Sequence, residues 1–285
     1  MKWVPLFVFM LICACVIVWS IPQVVNPVCT HPIVSQRARK IKVLTYNTYL
    51  LGIGKKSQKR FRYFIQHYMN NYDILCLQEV FDIPYKRRMI WEAKKLGFHY
   101  FYASPFRYGM DSGLLVLSRF PLINTTFTPF RCSTHIDRVA QKGIIAVSVW
   151  VNNMCFQLIN THTQSFYCIY DKQALDILKL QSIQIKNEIN KQGPVVLCGD
   201  LNGLRMEDCT DLKRLSNELL FTGKMKFNRN GVEIDDGNVI VPLELDTILY
   251  RELNVCEYKI EKFECNIGFG YCSDHFGLSA TLCFE

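Results

Sequence analysis

This chain has no Pro/Gly/Ser-rich linker, no shift of composition that divides it into domains, no internal repeat and no low-complexity tract. Those absences argue against a repeat architecture, a disordered protein and a two-domain division. No Cys-x-x-Cys pair with suitably spaced histidines is present, which sets aside a structural zinc site. A phosphate-binding P-loop is missing too. Gly52-Ile53-Gly54-Lys55-Lys56-Ser57 copies the end of one, but position 50 is Leu and Lys56 follows Lys55 rather than glycine, so the register fails. Histidine is scarce, with six in 285 residues, which gives weight to those that stand at strand ends.

What is present fits one well-buried domain: 49% of residues are apolar and 20% charged. Residues 1–22 differ in kind. Met1-Lys2 precedes an almost wholly apolar run from Leu6 to Trp19, and Ser20 with Val18 two before it gives a tolerable signal-peptidase pattern. We expect a secretory signal peptide; an uncleaved anchor is the alternative, since the run just reaches the roughly 20 residues that span a bilayer. Residues 23–40 form a basic N-terminal segment and 41–285 a single domain. The expected location is extracellular.

Thirteen cysteines suit an oxidising compartment. Cys76 and Cys198 lie inside apolar runs and read as buried thiols. Cys132, Cys155, Cys168, Cys209, Cys256, Cys265, Cys272 and Cys283 are candidates for pairing. Asn124-Thr125-Thr126 is a glycosylation sequon if the chain is exported. The formal charge of +8 suits a phosphate-bearing partner, nucleic acid or an anionic membrane face, and does not choose between them.

Hydrophobic periodicity predicts strands over 41–47, 74–79, 98–102, 113–118, 143–151, 154–161, 194–200, 239–250 and 275–283. It predicts helices over 58–71, 85–96 and 172–190, with a polar helix near 207–220. Strands that alternate with helices and then run consecutively do not build one parallel sheet. The expected class is therefore α/β, with two packed mixed β-sheets flanked by helices.

Six apolar runs end on polar residues: Asn47, Glu79, His162, Asp200 with Asn202, Asp246, and Asp274-His275. Together they suggest one site gathered at a rim of the sheets. Asp200 and Asn202 are two apart, so on an extended segment both face one ligand atom; an Asx turn closing the strand is the other reading. Glu79 follows a buried run and needs a partner, either a hard cation or a basic side chain. Adjacent strand residues face opposite sides, so His275 needs a carboxylate other than Asp274 to orient it as a base, and Asp246 is the candidate.

The order Asn47, Glu79, His162, Asp200-Leu201-Asn202, Asp246, Ser273-Asp274-His275 resembles the endonuclease/exonuclease/phosphatase superfamily, over about residues 41–285. Asp137-Arg138-Val139-Ala140-Gln141-Lys142-Gly143, Thr161-His162-Thr163-Gln164-Ser165 and Ser112-Gly113-Leu114-Leu115-Val116-Leu117-Ser118-Arg119-Phe120-Pro121 are similar to its sphingomyelinase branch. The resemblance implies a DNase I-like four-layer α/β sandwich and hydrolysis of sphingomyelin to ceramide and phosphocholine at a sphingomyelin-containing membrane surface, by a monomer. A secreted nuclease, with nucleic acid as partner, is the alternative.

By the same resemblance Glu79 is a direct ligand of Mg²⁺, with Asn47 and Asp274 nearby, and Mn²⁺ or Co²⁺ able to substitute. His275, oriented by Asp246, is the base for water; Asp200 and Asn202 position that water; His162 hydrogen-bonds the phosphate. It also implies a Cys132–Cys168 disulfide. Phe166, Tyr167, Tyr170, Phe269 and Tyr271 are aromatic candidates for a cationic head group, with packing under loops as the plain alternative. A long aromatic-rich hairpin of the kind bacterial toxins use to enter membranes is not found.

Overall fold

Short runs of largely buried residues, two to eleven long, make the strands of two six-stranded sheets. The computed structural model describes residues 37–50, 55–105, 110–166, 171–216, 222–227, 239–267 and 270–284. The expected leader, its alternative as an anchor, and most of the basic N-terminal segment lie outside these residues. Among the described residues no helix is long and apolar enough to cross a membrane.

The first sheet contains β1 (Lys40–Leu50), β2 (Ile74–Val80), β3 (Tyr100–Ala103), β4 (Leu115–Ser118), β13 (Asn254–Glu261) and β14 (Gly277–Cys283), in the order β13-β14-β1-β2-β4-β3. The second contains β5 (Leu122–Pro129), β6 (Gly143–Val151), β7 (Met154–His162), β8 (Val195–Asp200), β9 (Lys213–Arg214) and β12 (Asp246–Arg251), in the order β5-β6-β7-β8-β12-β9. A separate ribbon pairs β10 (Gly223–Phe227) with β11 (Val239–Leu243). Each large sheet has one parallel pair at its centre, β1 with β2 and β7 with β8, and is otherwise antiparallel. A parallel pair needs a crossover, and helices supply it. α1 (Lys55–His67) joins β1 to β2 and α3 (Lys172–Glu188) joins β7 to β8; α2 (Ile83–Lys95) follows β2.

Burial shows the layering. Val43, Ile74, Cys76 and Val116 of the first sheet meet Ile145, Val147, Leu158, Val196 and Ile248 of the second in a core between the sheets. On the far side of the first sheet, Phe61, Phe64 and Ile65 of α1 and Met89, Ile90 and Ala93 of α2 cover Leu44, Tyr46, Leu75 and Leu77. On the far side of the second, Ile185 of α3 packs with Ile159, Val195 and Leu197. The result is a four-layer α/β sandwich.

The helix ends are capped as their sequences direct. Asp82 accepts from the Tyr85 amide and Asp171 from the Ala174 amide, satisfying donors that the first helical turn leaves open. On α3 the buried stripe is Ala174, Leu178, Gln181 and Ile185, while Leu175 and Ile183 are exposed. Gln181 is buried because it works as a tether: it donates to the Cys132 carbonyl and accepts from the Gln164 amide.

Three expectations need correction. The polar helix near 207–220 is a 3-10 turn, Met206–Asp208, followed by the two-residue strand β9; residues 217–220 lie outside the described set. The single strand 239–250 is β11 and β12, broken at Glu244-Leu245. Strands β5 and β13 were not expected, because both are sheet edges whose polar, half-exposed residues carry little apolar signal.

Of the candidate cysteines, Cys256 and Cys283 form a disulfide across β13 and β14. Cys168 lies outside the described residues, so the Cys132–Cys168 pairing remains an expectation. Cys76 and Cys198 are buried thiols.

Candidate active site

In parallel units, ligands gather beyond the carboxyl ends of the strands. Both central pairs of this fold point those ends to the same rim. Asn47 and Glu79 stand near the ends of β1 and β2, His162 and Asp200 at the ends of β7 and β8. The antiparallel strands β12 and β14 begin at this rim, which is why Asp246 opens one and His275 stands two residues before the other.

Register makes the second-sheet half compact. His162 pairs with Asp200 across β7 and β8, and Asp200 with Asp246 across β8 and β12, so the three share one row. Gly199, one residue earlier, is required by this packing: a Cβ there would lie 1.9 Å from the Thr161 carbonyl oxygen, and its φ is +150°. Asn202 lies just beyond, with φ +48°; its amide N–H donates to Asp200 Oδ1 (3.0 Å) and its side chain to the Thr163 carbonyl (3.3 Å). This is the Asx-type closure, and it leaves Asn202 at the same rim.

One amide ties the halves together. Asn47 Nδ2 donates to Glu79 Oε1 at 3.0 Å and to Asp200 Oδ2 at 2.9 Å. Behind it, Gln78 Nε2 donates to Asn160 Oδ1 at 2.7 Å and bridges the two sheets within the core. Ser273 Oγ donates to the Asn47 carbonyl (2.7 Å) and lies 3.1 Å from Asp274 Oδ1, which brings the Asp274-His275 turn to the cluster. Asp274 itself is exposed.

The imidazoles sit in opposite surroundings. His275 Nδ1 is 2.8 Å from Asp246 Oδ2, and its Nε2 is 3.8 Å from Asp200 Oδ2. Burial draws the proton affinity of His275 down, but the Asp246 and Asp200 carboxylates outweigh it and hold the pKa well above the ordinary value. Burial pushes Asp246 up to about 6, against the pull of His275. The pair therefore holds one proton between two groups. Thr222 Oγ1 receives the Asp246 amide N–H at 2.8 Å and fixes where that carboxylate starts.

His162 is buried at 1% exposure, and Lys142 Nζ donates to its Nε2 at 3.0 Å. Burial first, and the Lys142 ammonium second, lower its pKa to about 3, so it stays neutral. Lys142 is a group the sequence reading passed over. Asp137 Oδ2 (3.0 Å), the Thr163 carbonyl (2.9 Å) and Ser165 Oγ (2.8 Å) also lie within hydrogen-bond reach of its Nζ, so four acceptors share three ammonium protons. The signal was a lysine directly before a buried strand, within a stretch quoted only for its resemblance. Asp200 is held low: burial raises it, but His162, His275, the Asn47 amide and Lys142 together outweigh that.

Glu79 is different. Burial pushes its pKa up to about 7, and Oε2 is buried without a hydrogen-bond partner. The sequence left two partners open, a hard cation or a basic side chain, and no salt bridge to Glu79 is found among the described residues. A buried carboxylate oxygen with a vacant lone pair, beside the exposed Asp274 and the carbonyl oxygen of the Asn47 side chain, fits a divalent cation with oxygen preference. A second donor set, Asp200, Asp246 and His275, has ligand atoms all within 4.8 Å of one another. Of the aromatic candidates, Phe166 and Tyr271 are partly buried, and Tyr271 meets Phe276 edge-on; Tyr167, Tyr170 and Phe269 lie outside the described residues.

Two mixed sheets with helices outside, and polar strand ends of both sheets at one rim, define a DNase I-like α/β sandwich. Residues 44–275 match the family model described as Endonuclease/Exonuclease/phosphatase family. The chain belongs to that family. It is 25% identical over 185 residues to "Sphingomyelinase C" of Listeria ivanovii, covering 55% of this chain and 54% of that protein. The chain thus spans about half the length of that relative, and less of other curated sphingomyelinases it matches. Its fold is similar to the beta toxin of Staphylococcus aureus in a crystal structure with bound magnesium ions (TM-score 0.66, 19% identity, 85% of this chain and 99% of that one). It is equally similar to truncated Caenorhabditis elegans TDP2 (TM-score 0.66, 20% identity, 88% and 100%). The curated relatives in sequence are sphingomyelinases, while the fold is shared with proteins beyond them.

Proposed function

We propose that the protein is a divalent-cation-dependent phosphodiesterase that hydrolyses sphingomyelin to ceramide and phosphocholine. The observation that carries this reading is the Asn47 amide, which joins a cation-seeking carboxylate, Glu79, to a partnered acid–base cluster, Asp200 with His275 and Asp246. The substrate class rests on similarity to sphingomyelinases; the chemistry rests on the site.

In this reading Glu79, Asn47 and Asp274 hold Mg²⁺, which the beta toxin structure also contains. The ion would supply positive charge to the phosphoryl and leaving oxygens and weaken the hold of His275 on its proton. His275, oriented through Nδ1 by Asp246, takes the proton of the attacking water at Nε2. Asp200 and Asn202 orient that water. His162, kept neutral by burial and Lys142, hydrogen-bonds a phosphoryl oxygen as negative charge builds. The apolar leader of the sequence and the Cys256–Cys283 disulfide support action in an oxidising, extracellular setting.

The test is phosphocholine release from mixed micelles of sphingomyelin and detergent, with and without chelator, for the wild type and Glu79→Gln. Release that needs the cation and Glu79 is expected. Acid-soluble nucleotides from DNA or RNA without phosphocholine release would install the nuclease reading, with which the +8 charge is equally compatible.

A further inference from the structure

Glu79 is not held by its own strand alone. Its φ is +57°, in the left-handed region that a residue with a side chain seldom adopts, and the β1–β2 register shifts between Asn47 and Leu50 beside it. Such a conformation persists where neighbours over-determine it. The neighbour here is the loop 111–113. The Val80 amide donates to the Gly113 carbonyl at 2.9 Å. Gly113 has φ +70°, and a Cβ on it would fall 3.1 Å from the Glu79 Cα and 2.8 Å from the Phe81 ring. The backbone at 113 therefore lies directly against the backbone at 79.

Behind that loop is an ion pair with no contact to the site. The Gly113 amide donates to Asp111 Oδ1 at 2.7 Å, and Asp111 Oδ2 accepts from Lys86 Nζ. Lys86 lies on α2 and is 1% exposed; Asp111 is 3% exposed. Burial lowers the proton affinity of Lys86, and Asp111 opposes that shift. A buried pair of this kind gives little net stability over apolar residues of the same size, so its value is geometric. It links the helix that follows the Glu79 strand to the loop that fixes the Glu79 backbone.

We propose that Lys86 and Asp111 are a positioning pair for the Glu79 carboxylate, clamping Gly113 against residue 79 so that the free Glu79 oxygen is aimed for a divalent cation. This rests on the reading of Glu79 as a cation ligand. Neither residue touches substrate or cation. Their removal should weaken cation binding and leave turnover at saturating cation much less affected.

The experiment compares Mg²⁺ affinity by calorimetric titration, and kcat at saturating Mg²⁺, in the full chain. Its variants are the wild type, Glu79→Gln, the apolar double variant Lys86→Met with Asp111→Leu, and Asp111→Glu. The double variant removes both charges and leaves neither buried alone. Groups that support a metal ligand from behind typically contribute 10–100-fold to affinity. A rise in Kd of about tenfold or more is expected for the double variant, with kcat within a few-fold of wild type. Asp111→Glu keeps both charges, moves the carboxylate by one methylene and keeps the proposal testable should the double variant not fold; its Kd should rise by a smaller factor. Wild-type Kd in a folded double variant, or in Asp111→Glu if the double variant does not fold, would overturn the pair's role alone. Equal Mg²⁺ binding by the wild type and Glu79→Gln would overturn the ligand reading, and this inference with it.

Discussion

The two sheets carry the same local plan, a parallel β-α-β unit with polar residues at its carboxyl rim, yet they equip it differently. Around β7-α3-β8 the charged groups at the rim meet opposite charges inside the protein: Lys142 meets Asp137, and His275 meets both Asp246 and Asp200. In β1-α1-β2 the carboxylate of Glu79 has one oxygen with no partner, and burial keeps it near neutral protonation. One half is built to hold and move protons; the other is incomplete until a cation is added. At the rim the Asn47 amide joins Glu79 to Asp200, and His275, carried just before β14 of the first sheet, reaches Asp246 of the second.

The largest effect that would break this contrast falls on the proton-handling half. His275→Ala should cost about 10²–10⁴-fold in kcat and leave Mg²⁺ binding close to wild type. A variant that loses cation affinity as much as rate would show that the halves do not divide the work. Next comes the pH dependence of the other half. Proton and cation compete for the Glu79 carboxylate, whose pKa without metal is about 7. Mg²⁺ affinity should be level above that pH and fall about tenfold per unit below it. Titrations at pH 6 and pH 8 that agree would contradict the assignment.

A smaller effect is expected for Asp246→Asn. His275 loses the carboxylate that raises its proton affinity, so the acid limb of the pH–rate profile should move to lower pH while kcat also falls. An unmoved limb would assign it to another group. Lys142→Met should raise the pKa of His162 from about 3, seen by NMR titration of the imidazole, since the nearby ammonium is its second cause after burial. The least effect on rate belongs far from the rim. Replacing Cys256 and Cys283 by serine opens a cross-link over a 27-residue separation. That should lower stability by up to about 3.5 kcal/mol in denaturant melts and leave kcat unchanged.

What the sequence made legible follows the same division. Strands buried on both faces read as apolar runs, so β1, β2, β6, β7 and β8 were found within a few residues and with them Asn47, Glu79, His162 and Asp200. Edge strands β5 and β13 were hidden because their half-exposed residues do not need to be apolar. The pairing of Asp246 with Asp200 was not readable either. It depends on antiparallel register between segments about 46 residues apart, which no local pattern encodes. Lys86, Asp111 and Lys142 were missed for a third reason: a charge is read by default as surface, and these three are buried because each has a partner distant in sequence or around a turn.

The seam between the sheets has a practical consequence. The chain passes from the first sheet to the second at Arg119-Phe120-Pro121, between β4 and β5. A cut there would leave Asn47 and Glu79 on one fragment and His162, Asp200, Asp246 and His275 on the other. Neither piece could turn over substrate, but β13 and β14 of the second would have to complete the sheet of the first, so recovered turnover would count reassembled molecules. The architecture is thus a natural starting point for a split reporter whose signal is its own chemistry.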